Sequence, residues 1–61
     1  MIVKDLMHVL ETPLPISISK ITNDEIIKVN DNLTRLDCMV KYGDKFITSI
    51  LLDKGVEITI K

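Results

Sequence analysis

Hydrophobic residues near the start of the chain recur at helical spacing. Val3, Leu6, Met7 and Leu10 fall on one side, and Lys4, Asp5, His8 and Glu11 fall mostly elsewhere. The pattern predicts a short amphipathic helix. Thr12-Pro13-Leu14-Pro15 should end it, because proline disfavours helix at the residue before it and has no amide to donate. The period then falls to two. Ile16-Ser17-Ile18-Ser19 alternates, and Ile26-Ile27-Lys28-Val29 follows a turn centred on Asn23-Asp24. These segments read as a β-hairpin with Ile18 opposite Val29. Ile16, Ile18, Ile27 and Val29 then share one face, Ser17, Ser19 and Lys28 share the other, and Ile21 pairs with Ile26 near the turn.

Asn30, Asp31 and Asn32 offer N-caps for a second helix, in which Leu33, Leu36 and Val40 share a face and Gly43 is the stop. A rival reading makes residues 36–42 a strand with Leu36, Cys38, Val40 and Tyr42 on one side. Helix is the preferred reading. The terminal stretch FITSILLDKGVEITIK reads as a second hairpin. A two-residue Lys54-Gly55 loop would set Ile58 against Leu51 and mix polar with apolar positions. A three-residue Asp53-Lys54-Gly55 loop instead pairs Leu52 with Val56, Ile50 with Ile58 and Thr48 with Ile60, with Gly55 taking the left-handed position. Ile47 and Leu51 are then left on an otherwise polar face, and Val56–Ile60 is expected to be an edge strand with Lys61 as its only guard.

The expected architecture is therefore α+β, in the order α-β-β-α-β-β. Two β-hairpins form a small antiparallel sheet, with two short helices packed on one side, as a single domain over residues 1–61. A chain of this length buries only about 60% of its unfolded surface. It usually needs a disulfide, a metal, very good packing or a partner subunit. Cys38 is the only cysteine, so no internal disulfide can form. A reducing, cytoplasmic setting fits that count. The first residues do not read as a signal peptide, and no run approaches the ~20 apolar residues of a membrane span. Hydrophobic residues make up 46% of the chain, which argues against disorder. The net charge of −1, with both signs interspersed, argues against nucleic acid and anionic membranes as partners.

Little reactive chemistry is legible. One His and one Cys do not make a structural zinc site, and His8 with Glu11 reads as two solvated polar residues. A Cys38–His8 pair has no orienting third group, so Cys38 is expected to be a small core residue. Asp24, Glu25 and Asp31 sit in turn or cap positions, where exposed carboxylates stay ionised. Gly43 and Gly55 read as turns and do not form a phosphate cradle. No cofactor or metal is expected, and the chain is expected not to be an enzyme. Two surfaces remain. Ile47, Leu51, Val56 and Ile58 are candidates for an oligomer or partner interface. Arg35, Lys41, Tyr42 and Lys45 are candidates for an anion- or nucleotide-binding rim.

The head IVKDLMHVL, the hairpin ISISKITNDEIIKV and the tail YGDKFITSILLDKGVEITIK together resemble small open reading frames of bacteriophages and prophages of low-GC bacteria. Tyr42, Asp44, Lys45, Ile47, Ser49, Ile50, Val56, Ile58 and Ile60 occupy the positions of the tail pattern. The resemblance carries no catalytic residue across. It implies an accessory protein of the host-cell cytoplasm that inhibits an anti-phage defence by binding a host macromolecule; the small size and excess aliphatic surface add the expectation of a homo-oligomer, a dimer foremost. The alternative it implies is an oligomeric sponge for a nucleotide signal. A small dimeric DNA-binding regulator or antitoxin is a third reading, disfavoured by the neutral charge.

Overall fold

The computed structural model describes residues 1–61. The elements are α1 (Val3–Val9), β1 (Ile16–Thr22), β2 (Glu25–Leu33), α2 (Arg35–Tyr42), β3 (Ile47–Leu52) and β4 (Val56–Ile60). The order is the expected α-β-β-α-β-β, and residues 35–42 are helix. The strands form a 4-stranded sheet in the order β2-β1-β4-β3. Each hairpin is antiparallel, but β1 and β4 run parallel, so the sheet is mixed where the sequence suggested a purely antiparallel one. This arrangement places β1 and β4 at the centre and leaves β3, the strand richest in apolar residues, at an edge. Ile16 lies beside Val56 and Ile18 beside Ile58, under the helices. β4 is consequently an interior strand, which corrects the expectation of an edge there. The edges are β2 and β3.

Alternation along β1 and β4 sends Ile16, Ile18, Val56, Ile58 and Ile60 to one face. There they form the core with Val3 and Met7 of α1, Cys38 of α2 and Leu33 of β2. The helices thus cover one face only. The helices run antiparallel and are stitched together at both ends. Lys4 donates its amide to the Gly43 carbonyl at 2.9 Å, and Val3 donates to the Lys45 carbonyl at 3.0 Å. These bonds satisfy amides that a helix start leaves without partners. At the other end the Arg35 guanidinium donates to the Met7 carbonyl through Nε at 3.2 Å and through a terminal nitrogen.

Local chemistry explains where the elements depart from the sequence pattern. Asn23 and Asp24 both have positive φ, 50° and 65°, and form the two-residue turn with Ile21 opposite Ile26 as expected. Beyond Ser19 a bulge inserts one residue, so Ile18 faces Asn30 rather than Val29. Asn32 takes a left-handed φ of 56°, and β2 continues to a buried Leu33. The helix therefore starts later than the Asn30–Asn32 caps suggested. Thr34 caps α2: its hydroxyl accepts from the Asp37 amide at 3.2 Å, and the Asp37 carboxylate accepts from the Thr34 amide at 3.3 Å. This start turns Cys38 inward and leaves Leu36 and Val40 exposed, contrary to the apolar face expected of them.

The terminal hairpin pairs Leu52 with Val56 and Ile50 with Ile58, as the three-residue loop requires. Gly55 is not left-handed, however. Its constraint is steric, because a Cβ there would lie 2.7 Å from the Pro15 carbonyl oxygen, the atom that accepts from the Val56 amide. An irregularity between Ile47 and Ser49 sets Ile47, not Thr48, opposite Ile60. Ile47 therefore turns to the core face and packs there. No helix is long and apolar enough to cross a membrane.

Candidate interaction surfaces

The four apolar interface candidates separate. Val56 and Ile58 are buried in the core, because β4 lies between two other strands. Ile47 packs partly against that core. Leu51 alone of the four is exposed, at 56%, on the face away from the helices beside Glu57. Its neighbours Ile50 and Leu52 point to the helix face but lie at the sheet edge, and are 42% and 66% exposed. The hairpin register paired them with Ile58 and Val56 but could not show that their strand lies at the edge. The missing signal was the strand order, which no local pattern contains.

The outer side of β3 is only partly open. The Ile47 amide donates to the Met1 carbonyl at 2.9 Å, and Ile2 bridges to Phe46. Residues 1–3 thus cover the start of the strand. The open stretch is Ser49 to Leu52, and it carries no charged side chain. The opposite edge, β2, also exposes Ile26, Ile27 and Val29, but its register breaks twice and Lys28 and Asp31 stand on it as an exposed pair 3.7 Å apart. Such bulges and charges discourage pairing with another strand.

The basic candidates are not gathered into one rim. Arg35 stands at the start of α2 and is held by the Met7 carbonyl. Tyr42 stands at the other end, about 10 Å along the axis at 1.5 Å per residue. Its hydroxyl accepts from the Asn30 side-chain amide. Lys41 and Lys45 are exposed near that second end, where the Lys45 amide donates to the Tyr42 carbonyl at 3.0 Å. Two of the four side chains thus have partners within the fold.

Reactive groups are dispersed. No three His, Cys, Asp or Glu side chains converge as a metal site would require. Burial, with a smaller contribution from the Asp37 charge, pushes the Cys38 thiol up to about 11, so it stays protonated and is a poor nucleophile near neutrality. Two shallow hollows mark the surface. One, of about 290 Å³, opens on the uncovered sheet face among Ser17, Lys28, Asp31, Lys54 and Glu57 and has no hydrophobic lining. The other, of about 610 Å³, lies between Thr12–Pro15 and the start of α2. The capping box already occupies helix-end donors there. Neither has the apolar, enclosed character of small-molecule sites. Comparison of the chain with protein-family models, with curated proteins and with solved structures finds no match.

Proposed function

We propose that the protein works through its surfaces rather than through catalysis. In this reading it is a small phage-type accessory protein that binds a host macromolecule in the cytoplasm as a homo-oligomer, and so inhibits a host defence. One observation carries the interaction part of the reading. The core holds nine buried hydrophobic residues, while thirteen large hydrophobic side chains are exposed, several of them side by side on the two edge strands. Isolated exposed apolar residues are ordinary, but contiguous ones mark contact surfaces. A chain this short also gains more than a long one from burying surface against a partner.

The sponge reading receives less support, because Arg35 and Tyr42 are engaged inside the fold and stand at opposite ends of α2. The deciding experiment is native mass spectrometry of the protein purified gently from its own host background. An empty homo-oligomer, or one carrying a macromolecule, supports the proposal. A homo-oligomer with a small extra mass replaces it with the sponge, and a bare monomer overturns the self-association.

A further inference from the structure

We infer that two copies of this chain pair edge to edge through β3, antiparallel about a two-fold axis at Leu51, so that the two 4-stranded sheets become one continuous sheet. This inference rests on the homo-oligomer reading and specifies its geometry. A strand at a sheet edge presents unpaired amides and carbonyls along its outer side. On β3 that side is blocked at Ile47 by Met1 and left open from Ser49 to Leu52.

The register follows from which residues are free. A two-fold axis perpendicular to the sheet keeps the helix faces of both copies on one side. Opposed residues then come from the same face. Centring the axis on Ile50 would set Ser49 against Leu51 and bring the irregular Thr48 region, next to the covered start of the strand, into the contact. Centring it on Leu51 keeps the pairs from Ile50 to Leu52 inside the open stretch and sets Ser49 against Asp53 of the loop at each end. Ile50 then meets Leu52 of the second copy on the helix face, twice by symmetry. Leu51 meets Leu51 on the other face. Every pair in the middle of the contact is aliphatic, and aliphatic cross-strand pairs are favourable.

A second copy is the occupant for three reasons. The open stretch is uncharged and its apolar pattern is complementary to itself under that axis. The net charge of −1 opposes association only weakly. The area suits only a weak, reversible dimer: the exposed parts of Ile50, Leu51 and Leu52 amount to on the order of 300 Å² per copy, about 600 Å² for the pair, which even with the backbone edge stays below the ~1,200 Å² of stable interfaces. Such a dimer dissociates on dilution. The β2 edge, with its broken register and its Lys28–Asp31 pair, lacks this complementarity.

The test combines sedimentation velocity with cross-linking. Leu51→Lys sets two ammonium groups facing each other across the axis. It is expected to raise the dimer dissociation constant on the order of tenfold or more, with the circular dichroism of the folded chain retained. Leu51→Cys places two thiols on facing residues about 4.5–5.5 Å apart between Cα atoms, within reach of a disulfide. Mild oxidation should therefore give a covalent dimer. Val40→Cys, exposed on α2, should not, and the native Cys38 is buried. An oligomer that survives Leu51→Lys and cross-links no faster through residue 51 than through residue 40 overturns the β3 pairing and leaves the homo-oligomer reading standing. A wild-type chain that stays monomeric at every concentration overturns both.

Discussion

Ile58 is the residue whose truncation interrogates the fold most sharply. It is fully buried at the middle of β4, flanked on its rung by Ile18 of β1 and Ile50 of β3, beneath α1 and α2. Ile58→Ala removes three carbons from a site walled on all sides, so the surroundings cannot collapse far into the gap. Such truncations cost about 2–5 kcal/mol, and the closed site puts this one at about 3–4 kcal/mol. A chain of 61 residues has a total stability of only about 3–9 kcal/mol. Ile58→Ala should therefore lose from about a third of the total to all of it, whereas Ile58→Val should lose about 1 kcal/mol. Ile50→Ala is the internal control. It shares the rung but is 42% exposed on the edge strand, so its loss should be less than half as large. Urea titration followed by far-ultraviolet circular dichroism reads all three. With a slope of about 1 kcal/mol per molar, the Ala midpoint should fall by about 3 M and the Val midpoint by about 1 M. The titrations should be run dilute, so that any self-association does not add to the apparent stability. An Ile58→Ala loss equal to that of Ile50→Ala would mean that β4 is an edge and that the parallel β1–β4 pairing is wrong.

Three further outcomes follow from single contacts. Because burial raises the Cys38 thiol from its ordinary 9.0 to about 11, the unfolded chain ionises first as pH rises. Stability from this residue is full below pH 9.0 and is lost as pH climbs through about 11. Cys38→Ala should be less stable at neutral pH but should show a shallower alkaline decline in melting temperature, and parallel declines would refute the assignment. Gly55→Ala should cost about 1–3 kcal/mol in urea titration, since its Cβ meets the Pro15 carbonyl and not a flexible side chain. A neutral result would place that loop elsewhere. Thr34→Ala should lower the melting temperature by a few degrees by removing the cap. Hydrogen bonds from Thr34 lower the Asp37 pKa below its ordinary 3.8, so the stability Asp37 confers is present above that value and lost as pH falls through the lowered one. In Thr34→Ala the hydroxyl's contribution is lost but the residue-34 amide still donates, so the carboxyl should titrate only part of the way back towards 3.8 when followed by NMR, and an Asp37 that already titrates at 3.8 in the unmodified chain would contradict the capping box.

What the sequence disclosed was local. The α1 stripe of Val3, Leu6, Met7 and Leu10, the Asn23-Asp24 turn and the Leu52–Val56 pairing all depend on residues close in the chain. The misplacements arose where distant segments decide. Ile18 meets Ile58 across most of the chain, and only that pairing makes β4 interior, sinks Val56 and Ile58 and exposes Ile50 and Leu52. Single inserted residues had the same effect at shorter range. The bulge near Val29 moved Asn30 opposite Ile18, and the one at Thr48 turned Ile47 inward, because one extra residue inverts every side chain beyond it. The α2 face was misread because its start was taken as Asn30–Asn32 and not Thr34. Among the surface candidates, Leu51 was identified by its mismatch with a polar face, a signal that needs only the hairpin register. The Arg35–Lys41–Tyr42–Lys45 rim lost Arg35, which the helix axis sets at the far end of α2, while Lys41, Tyr42 and Lys45 stay near one another.

The measurement that reaches the central claim most directly is amide hydrogen exchange at two protein concentrations, one dilute and one near millimolar. Pairing through β3 should slow exchange of the amides that face away from β4 between Ser49 and Leu52 in the concentrated sample, with those of β2 unchanged. Exchange in β3 that is independent of concentration, or protection that grows at β2 instead, would contradict it.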